Sequence, residues 1–203
     1  MGSLTDIIGD LKVIINKATA KTRSDEEIMS FSLLVERNAR SYPNDSAILF
    51  EEKVLSWNEL NEQSNRIANY LKSLGISTGD CVSLFMQNRI EFVVNVVAIC
   101  KLGAIAGLIN TNLTKQPLIH CINLVESKKC IFGTELSDAL EEVLDDLRLE
   151  DKLDYLCVPD NKRSKIPEWA TELDSEDPYL DGTTPSEINK ITLGHIAFYI
   201  FTS

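Results

Sequence analysis

Residues 81–112 constrain the fold most, because two apolar runs flank a stretch with the signals of a buried helix. The first run, 81–86, has the length of a β-strand, and the second covers 104–109. Between them, residues 92–102 are apolar on nearly every side, which predicts a helix that is buried rather than merely amphipathic. Gly103 stands where a left-handed C-cap is expected, since glycine adopts this conformation without a Cβ penalty. Strand, helix and strand over about 30 residues predict a βαβ unit with parallel strands and a right-handed crossover.

Two helix starts are predicted from capping boxes, in which a polar N-cap residue is followed three positions later by an acid or its amide. Ser56 with Glu59 has this spacing, and the apolar periodicity that follows predicts an amphipathic helix ending at Gly75. Asn88 with Glu91 repeats the spacing and is predicted to cap the buried helix of the βαβ unit.

Apolar runs and amphipathic stretches alternate through the rest of the chain, which is typical of an α/β protein. The predicted strands cover 47–50 and 54–57, which form a β-hairpin, and then 129–132, 155–158 and 196–201. Further predicted helices cover 31–42, 114–124 and the acidic surface stretch 134–147. We therefore expect an α/β fold with a mostly parallel sheet covered by helices.

Two segments stand apart from this alternation. Six apolar residues recur at helical spacing near the N-terminus: Leu4, Ile7, Ile8, Leu11, Ile14 and Ile15. We predict an N-terminal amphipathic extension over 1–30 and a partial α/β domain over 31–203. The extension's helix either packs on the domain or lies on a membrane surface, although its polar face is not the basic one that such surfaces favour. Residues 159–190 are polar and interrupted by prolines, which predicts a surface excursion before the chain returns to the core.

Charge and cysteine placement exclude several functions. The formal net charge is -11, so the surface repels a phosphate backbone and no nucleic-acid partner is expected. The five cysteines occur singly in apolar runs, which predicts reduced core residues of a cytoplasmic protein rather than a zinc or redox site. Residues 1–10 lack a basic leader, and the longest apolar run is shorter than the roughly 20 residues that span a bilayer. We expect neither a secretory signal nor a membrane-spanning helix.

Four stretches resemble the adenylate-forming, or AMP-binding, superfamily. Residues 199–203 (Tyr-Ile-Phe-Thr-Ser) resemble the opening of its phosphate-binding signature, which runs on as Gly-Thr-Thr-Gly-x-Pro-Lys. Residues 85–89 and 101–106 are similar to its Phe-Met-Glu-Asn-Arg and Lys-Leu-Gly-Ala-Val-Ala segments. Residues 108–113 resemble a segment of one branch, the very-long-chain acyl-CoA synthetases, also called fatty acid transport proteins. The resemblance covers 31–203.

This resemblance implies an acid–CoA ligase that works in two steps. In such enzymes the carboxylate attacks the α-phosphate of Mg-ATP to give acyl-AMP and pyrophosphate, and the CoA thiol then displaces AMP. It implies a fatty acid substrate, with ATP, Mg²⁺ and coenzyme A used by the full-length enzyme. Thr202 and Ser203 would open the phosphate-binding loop at the carboxyl end of a strand, where open α/β sheets bind ligands. The alternative is that these two residues are simply a strand end.

The same resemblance implies that the chain stops as this loop begins. The loop's glycines and lysine, the ribose-binding aspartate and the C-terminal domain with the catalytic lysine would all lie downstream of Ser203. No residue present here is therefore predicted to be catalytic, and we expect the 203-residue chain alone to be inactive. An exposed apolar face is expected where the rest of the sheet would pack. His195 stands where the family often has an aspartate, which would cost a structural cap.

Other site chemistries find no support in the sequence. GxSxG, GxGxxG and GxxxxGK[ST] motifs are absent, which argues against serine hydrolases, Rossmann dinucleotide sites and Walker loops. His120 lies in an apolar helical stretch and is predicted to pack in the core, while the asparagines of 110–112 either satisfy backbone groups or line a substrate tunnel. Two other functions stay open: a CoA ligase for a short-chain, carnitine-like or aryl acid, and a non-catalytic α/β module that binds a partner or lipid. Peripheral membrane contact also stays open.

Overall fold

A six-stranded parallel sheet organises the computed structural model, which describes residues 23–161, 163–178 and 180–201. In chain order the strands are β1 (Ser46–Phe50), β2 (Lys53–Ser56), β3 (Cys81–Phe85), β4 (Ile105–Leu108), β5 (Lys129–Gly133), β6 (Tyr155–Val158), β7 (Thr171–Glu172) and β8 (Phe198–Ile200). Within the described residues the α-helices are α1 (Phe31–Ser41), α2 (Trp57–Ser73), α3 (Ile90–Lys101), α4 (Lys115–Leu124) and α5 (Ser137–Glu141). The large sheet has the order β7-β6-β5-β3-β4-β8, and β1 and β2 form a separate antiparallel hairpin. The predicted α/β fold is confirmed, whereas the helix predicted near the N-terminus lies outside the described residues.

The predicted βαβ unit is present. β3 and β4 are parallel neighbours, with Cys81 opposite Ile105, and α3 connects them. Residues 94–101 of α3 are all buried, as expected for a helix that is apolar on nearly every side. Gly103 has φ +68°, and a Cβ at this position would lie 3.1 Å from the side chain of Thr78. Both the backbone conformation and the close packing therefore favour glycine after α3.

Of the two predicted capping boxes, only the one at α2 forms. Ser56 Oγ accepts the N–H of Glu59 at 3.3 Å, and the Glu59 carboxylate accepts the N–H of Ser56 at 2.8 Å. The N-cap of α3 is Arg89 rather than Asn88, so the second prediction was wrong. The physical reason is that Arg89 is held by the distant carbonyls of Val158 and Pro159, and the Glu91 carboxylate lies 3.7 Å from Arg89 Nε.

The acidic stretch after β5 is not the single surface helix that was predicted. It divides into a 3-10 turn (Thr134–Leu136), α5 and a second 3-10 turn (Leu144–Asp146). Its buried apolar residues are Leu140, Val143 and Leu147. Acids four positions apart, at 141 with 145 and at 142 with 146, repel each other along a continuous helix. The segment therefore keeps its apolar side chains buried by breaking into short helical turns instead of forming one continuous helix.

The polar connection over 159–190 is more closely integrated than the predicted surface excursion. It supplies β7, which extends the large sheet next to β6. Its buried apolar residues are Ala170, Leu173 and Ile188. Helix α2 also holds the connection, because Asn69 Nδ2 donates to the carbonyls of Asp181 at 2.9 Å and Thr183 at 2.8 Å. Backbone groups of the connection thus find partners within the domain.

The last predicted strand forms as β8, but it lies at the edge of the sheet and not in the core. β8 pairs with β4 on one side, and its residues Phe198, Tyr199 and Ile200 are 37%, 36% and 69% exposed. The predicted return to the core was therefore wrong for this strand. The expected exposed apolar face is present at this edge.

Core residues alternate between the two faces of the sheet, as the period of a strand requires. In β3, Val82 and Leu84 pack with apolar residues of α1, α2 and α3, whereas Phe85 packs with residues of α4 and α5. Helices therefore cover both faces. The five cysteines are free and buried, as predicted, and burial raises the pKa of Cys157 to about 12.

A buried lysine links the three helices on one face. Lys101, at the end of α3, is fully buried, and its Nζ donates to Oδ1 of Asn61 at 2.6 Å and to Oδ1 of Asn65. Burial lowers the pKa of Lys101 to about 8, and the charge of Glu36 on α1 opposes this shift. Asn65 in turn donates to the carbonyl of Gly182 at 2.9 Å, so the cluster also reaches the connection after β7.

Candidate functional site

The strand order indicates the carboxyl edge of the sheet as the place for a ligand. The chain moves from β3 to its neighbour β4 on one side, and then crosses to β5 on the other side of β3. Open α/β sheets bind ligands at the carboxyl ends of strands, at such a reversal, since the connections there leave toward opposite faces. Two places at this edge are candidates. The switch-point crevice is lined by 87–91, Glu135 and Asp160, and the β4/β8 end is formed by 108–112 and Phe201.

Arg89, in the loop after β3, closes one side of the switch-point crevice by binding groups at the ends of β5 and β6. Its side chain is only 11% exposed, and its two Nη atoms donate to the carbonyls of Val158 and Pro159, each at 2.9 Å. Nη2 also lies 3.6 Å from the carboxylate of Glu135, and Nε lies 3.7 Å from that of Glu91. These contacts neutralise a largely buried cation and hold the loop after β3 against the end of β6.

Glu135 completes this closure from the end of β5. Its Oε1 accepts the N–H of Gln87 at 2.9 Å, so one carboxylate serves both Arg89 and the backbone after β3. Gly133 leaves room for the Glu135 carboxylate in this position, because a Cβ there would clash with it. The cation and the backbone N–H that could receive an anionic ligand in the crevice are thus already bonded to the chain's own carboxylate.

The switch-point crevice is a polar cleft of ≈ 320 Å³ beside this closure. The hydroxyls of Ser164 and Thr134 donate to the Asp160 carboxylate and lower the pKa of that group. Acidic residues outnumber basic ones in the lining, which contains Glu51, Glu91, Glu135 and Asp160 against Lys53 and Arg89. Such a lining repels a polyphosphate, so the cleft does not suit a nucleoside triphosphate.

The β4/β8 end is open by contrast. β8 runs parallel to β4, with Leu108 opposite Ile200, so both strands end at the same edge. Phe201 follows β8 and packs, half-buried, against the second core cluster, which anchors the end of the strand. Thr202 and Ser203, the predicted phosphate-binding residues, come directly after Phe201 and lie outside the described residues.

The polar groups of the turn after β4 form hydrogen bonds with one another. Asn110 Oδ1 accepts the N–H of Asn112 at 3.0 Å, and the Asn110 carbonyl accepts the N–H of Leu113 at 3.0 Å. This is the backbone role predicted for these asparagines, and the structure confirms it at Asn110.

The two histidines depart from their predicted roles. His120 is exposed on α4, so the prediction of a packed core histidine was wrong. The buried positions of α4 are Leu118, Cys121 and Ile122, and the helical period turns His120 away from that face. His195 Nδ1 accepts the N–H of Thr192 at 3.1 Å, so the imidazole itself supplies the cap that was expected to be lost.

Sequence reasoning did not single out Arg89 or Glu135 for a role at this edge. A local signal exists, because an arginine directly after an apolar strand needs carbonyl or carboxylate partners. The carbonyl partners of Arg89, however, are 69 and 70 positions away in the sequence. Only the fold brings these groups together.

The described part of the chain has neither a cluster of metal-binding side chains nor a membrane-spanning helix. Among those residues, no group of three or more His, Cys, Asp or Glu side chains could hold a metal ion. No helix of that same part has the length and apolar character that crossing a membrane requires.

Comparisons with known proteins indicate which proteins this chain resembles. The family model described as AMP-binding enzyme matches residues 35–203. The rat (Rattus norvegicus) long-chain fatty acid transport protein 2 is 30% identical over 168 residues, which are 81% of this chain and 26% of that protein. A medium/long-chain-fatty-acid–CoA ligase, FadD6, from Mycobacterium tuberculosis (strain ATCC 25618 / H37Rv) is 27% identical over 198 residues, 97% of this chain and 31% of the ligase.

Solved structures show the same fold. The crystal structure of the anthranilate CoA ligase AuaEII in complex with anthranoyl-AMP superimposes with a TM-score of 0.60 at 23% identity. The match covers 68% of this chain and 26% of that ligase. The chain thus spans less than a third of the length of each of these proteins.

Proposed function

This chain belongs to the AMP-binding enzyme family, and from that premise we propose that it forms the first part of the nucleotide-binding domain of an AMP-forming fatty acid–CoA ligase. In the proposed reaction a carboxylate oxygen bonds to the α-phosphorus of ATP, and pyrophosphate leaves. The thiol sulfur of coenzyme A then bonds to the acyl carbon, and AMP leaves. ATP and coenzyme A are substrates, and Mg²⁺ accompanies ATP.

The open β4/β8 end is the observation that carries this proposal. Leu108 and Ile200 end side by side, and the Asn110 turn bonds to itself rather than across the edge. The chain therefore leaves β8 at a carboxyl edge, next to a strand end that no charged side chain closes among the described residues. Open α/β sheets place phosphate loops at such an edge.

Thr202 and Ser203 are the proposed first members of the phosphate-binding loop. Their hydroxyls and backbone N–H groups are donors of the kind that phosphate oxygens accept, and they follow a strand whose end Phe201 anchors. Their role is to hold and orient the triphosphate while charge shifts during transfer. No side chain of this chain is assigned a proton transfer or a covalent bond in either step.

The proposed acid is a fatty acid of medium to very long chain. Support comes from the names of two relatives, a long-chain fatty acid transport protein and a medium/long-chain-fatty-acid–CoA ligase. The proposed location is the cytoplasm, with peripheral contact to a membrane that supplies the acid. Five free and buried cysteines support a reducing compartment. The division into an extension over 1–30 and a domain over 31–203 also stays a proposal.

The test is acid-dependent exchange of pyrophosphate into ATP by the protein expressed from the complete gene. Fatty acids of graded chain length should stimulate exchange, and short-chain, carnitine-like and aryl acids serve as the competing substrates. The double variant Thr202→Ala, Ser203→Ala should lose about 100-fold or more in kcat/KM, as expected when transition-state donors are removed. Thr134→Ala, in the switch-point crevice, is the matched control and should change the rate less than threefold.

Two results would overturn the proposal. One is that no carboxylic acid stimulates exchange, which would favour a binding module without chemistry. The other is that the double variant keeps the wild-type rate, which would place the phosphates elsewhere. The 203-residue chain by itself should release no pyrophosphate from ATP with any acid, and release at an enzymatic rate would contradict the assigned site.

A further inference from the structure

An apolar groove lies at the amino edge of β4 and β8, opposite the edge assigned above. Its volume is ≈ 170 Å³, and we refer to it as the amino-edge groove. It lies between the start of α1, the end of α3 and the segment that leads into β8. Its lining residues include Met29, Phe31, Cys100, Ala104, Leu193 and Ile196. The groove is separate from the proposed phosphate site and does not depend on it.

The rim of this groove exposes large apolar side chains. Phe31, Leu193 and Ile196 are 45%, 40% and 53% exposed. Ile28, next to the groove in the chain, is 53% exposed, and Leu34, one helical turn after Phe31 on α1, is 42% exposed. A contiguous apolar surface of this kind indicates a binding partner, whereas apolar residues scattered singly need none.

The path of the chain brings the N-terminal segment to this groove. The backbone carbonyl of Asp25 accepts the N–H of Gly194 at 2.8 Å, and that of Glu27 accepts the N–H of Leu193 at 3.0 Å. Ile28 forms an antiparallel β-bridge with Thr192. Residues 25–28, which lead to α1, are therefore hydrogen-bonded to residues 192–194 at the side of the groove. Arg23, the first described residue, contacts Met29, which lines the groove.

We propose that the amphipathic segment 4–15 of this chain occupies the amino-edge groove. Its apolar side chains recur at the i, i+3, i+4 spacing by which a helix lays one face into an apolar groove. The seven residues 16–22 span at most about 25 Å when extended, which is enough to return the segment along a domain of this size. The polar face, with Asp6, Asp10 and Lys12, then stays in water.

Hydrogen exchange of the whole 203-residue chain tests the placement. The amides of 4–15 should be protected at least tenfold relative to an unstructured peptide. Phe31→Asp and Ile196→Asp should each abolish this protection, because a carboxylate at the rim opposes burial of an apolar face. Asp in the first turn of α1 suits the helix dipole, so Phe31→Asp should leave the fold intact, and urea unfolding checks this.

Leu49→Asp and Val54→Asp are the matched controls, since these residues are 73% and 58% exposed on the β1–β2 hairpin. Both should keep the protection of 4–15. In the reverse experiment, Ile8→Asp should expose the groove and raise the binding of an apolar dye, and Phe31→Asp should reduce that rise.

Each other outcome overturns the proposal. Absence of protection in the wild-type chain, or equal loss with the hairpin variants, would show that the segment does not occupy the groove. Protection that rises with protein concentration would assign the groove to a second copy. Protection that requires anionic lipid vesicles would assign the segment to a membrane surface.

Discussion

The switch-point crevice and the β4/β8 end lie at the same edge of one sheet but differ in what fills them. In the crevice, Arg89 and Glu135 bond to each other and to backbone groups at the ends of β3 and β6. At the β4/β8 end, the polar groups of the turn at Asn110 bond to one another. Thr202 and Ser203 follow β8 in the sequence, after Phe201. The polar groups of the crevice therefore serve stability, whereas the β4/β8 end is the proposed ligand site.

This difference runs against the usual expectation for an open α/β sheet, which places the ligand at the reversal of strand order. Here the chain's own ion pair occupies that place, and its acidic surroundings oppose phosphate. Substitutions in the crevice should therefore lower the free energy of unfolding strongly, and substitutions at the open end should lower it only slightly.

Arg89→Ala should have the largest effect on stability. It leaves the carbonyls of Val158 and Pro159 and the partly buried carboxylate of Glu135 without their cation. Breaking a buried, hydrogen-bonded charge pair costs about 3 kcal/mol in the free energy of unfolding. Urea unfolding measures the loss, and Arg37→Ala, an exposed arginine on α1, is the control expected within about 0.5 kcal/mol of wild type. A loss equal to the control would show that the crevice is not held by Arg89.

The stability that depends on Lys101, the buried cation of the helix layer, should respond to pH. The pKa of Lys101 falls from 10.5 to about 8 on folding, so between these values the unfolded chain binds more protons. The free energy of unfolding should therefore rise by about 1.4 kcal/mol per pH unit above pH 8, relative to a Lys101→Met variant. Unfolding curves between pH 7 and 9.5 measure this difference, and Lys190→Met at an exposed site is the control. Parallel curves for wild type and Lys101→Met would contradict the depressed pKa.

Glu135→Gln should cost less than Arg89→Ala. The amide oxygen can still accept the N–H of Gln87, but the charge that faces Arg89 is lost. With Glu135 20% exposed and Arg89 still paired near Glu91, we expect a loss of about 1 kcal/mol. A double-mutant cycle with Arg89→Ala should give a coupling energy of at least about 0.5 kcal/mol, and strict additivity would show that the two residues act independently.

Ile200→Thr should have the smallest effect. Ile200 is 69% exposed on the edge strand, and threonine keeps the β-branched shape that a strand favours. The free energy of unfolding should change by less than about 0.5 kcal/mol, while aggregation of the isolated chain should decrease as the apolar edge shrinks. Light scattering during concentration measures the second effect. A loss above 1.5 kcal/mol would show that β8 packs as a core strand after all.

Local signals predicted the parts of the fold that depend on neighbours in sequence. Gly103 after a buried helix and the Ser56 capping box are examples, because the groups that determine them lie within a few residues. The cap predicted at Asn88 failed for the opposite reason. Arg89 there is held by carbonyls 69 and 70 positions away, and no local pattern reports such a contact.

The candidate site was predicted by resemblance rather than by geometry. Thr202 and Ser203 were identified from the motif that they begin, and the structure adds where β8 runs as it approaches them. The closure of the switch-point crevice was not predicted, because Glu135 reaches the loop after β3 only when β5 lies beside β3. The need for glycine at position 133 likewise depends on where the Glu135 carboxylate lies. His120 shows the same limit, because an apolar neighbourhood in sequence concealed its position on the exposed face of α4.

The most direct test of the central claim is to locate bound nucleotide in the protein expressed from the complete gene. Hydrogen exchange with and without a non-hydrolysable ATP analogue reports which backbone amides the ligand protects. The account predicts protection in 108–112 and 199–203 and unchanged exchange in 87–91 and 133–136. Protection confined to the switch-point crevice, with the β4/β8 end unaffected, would contradict it.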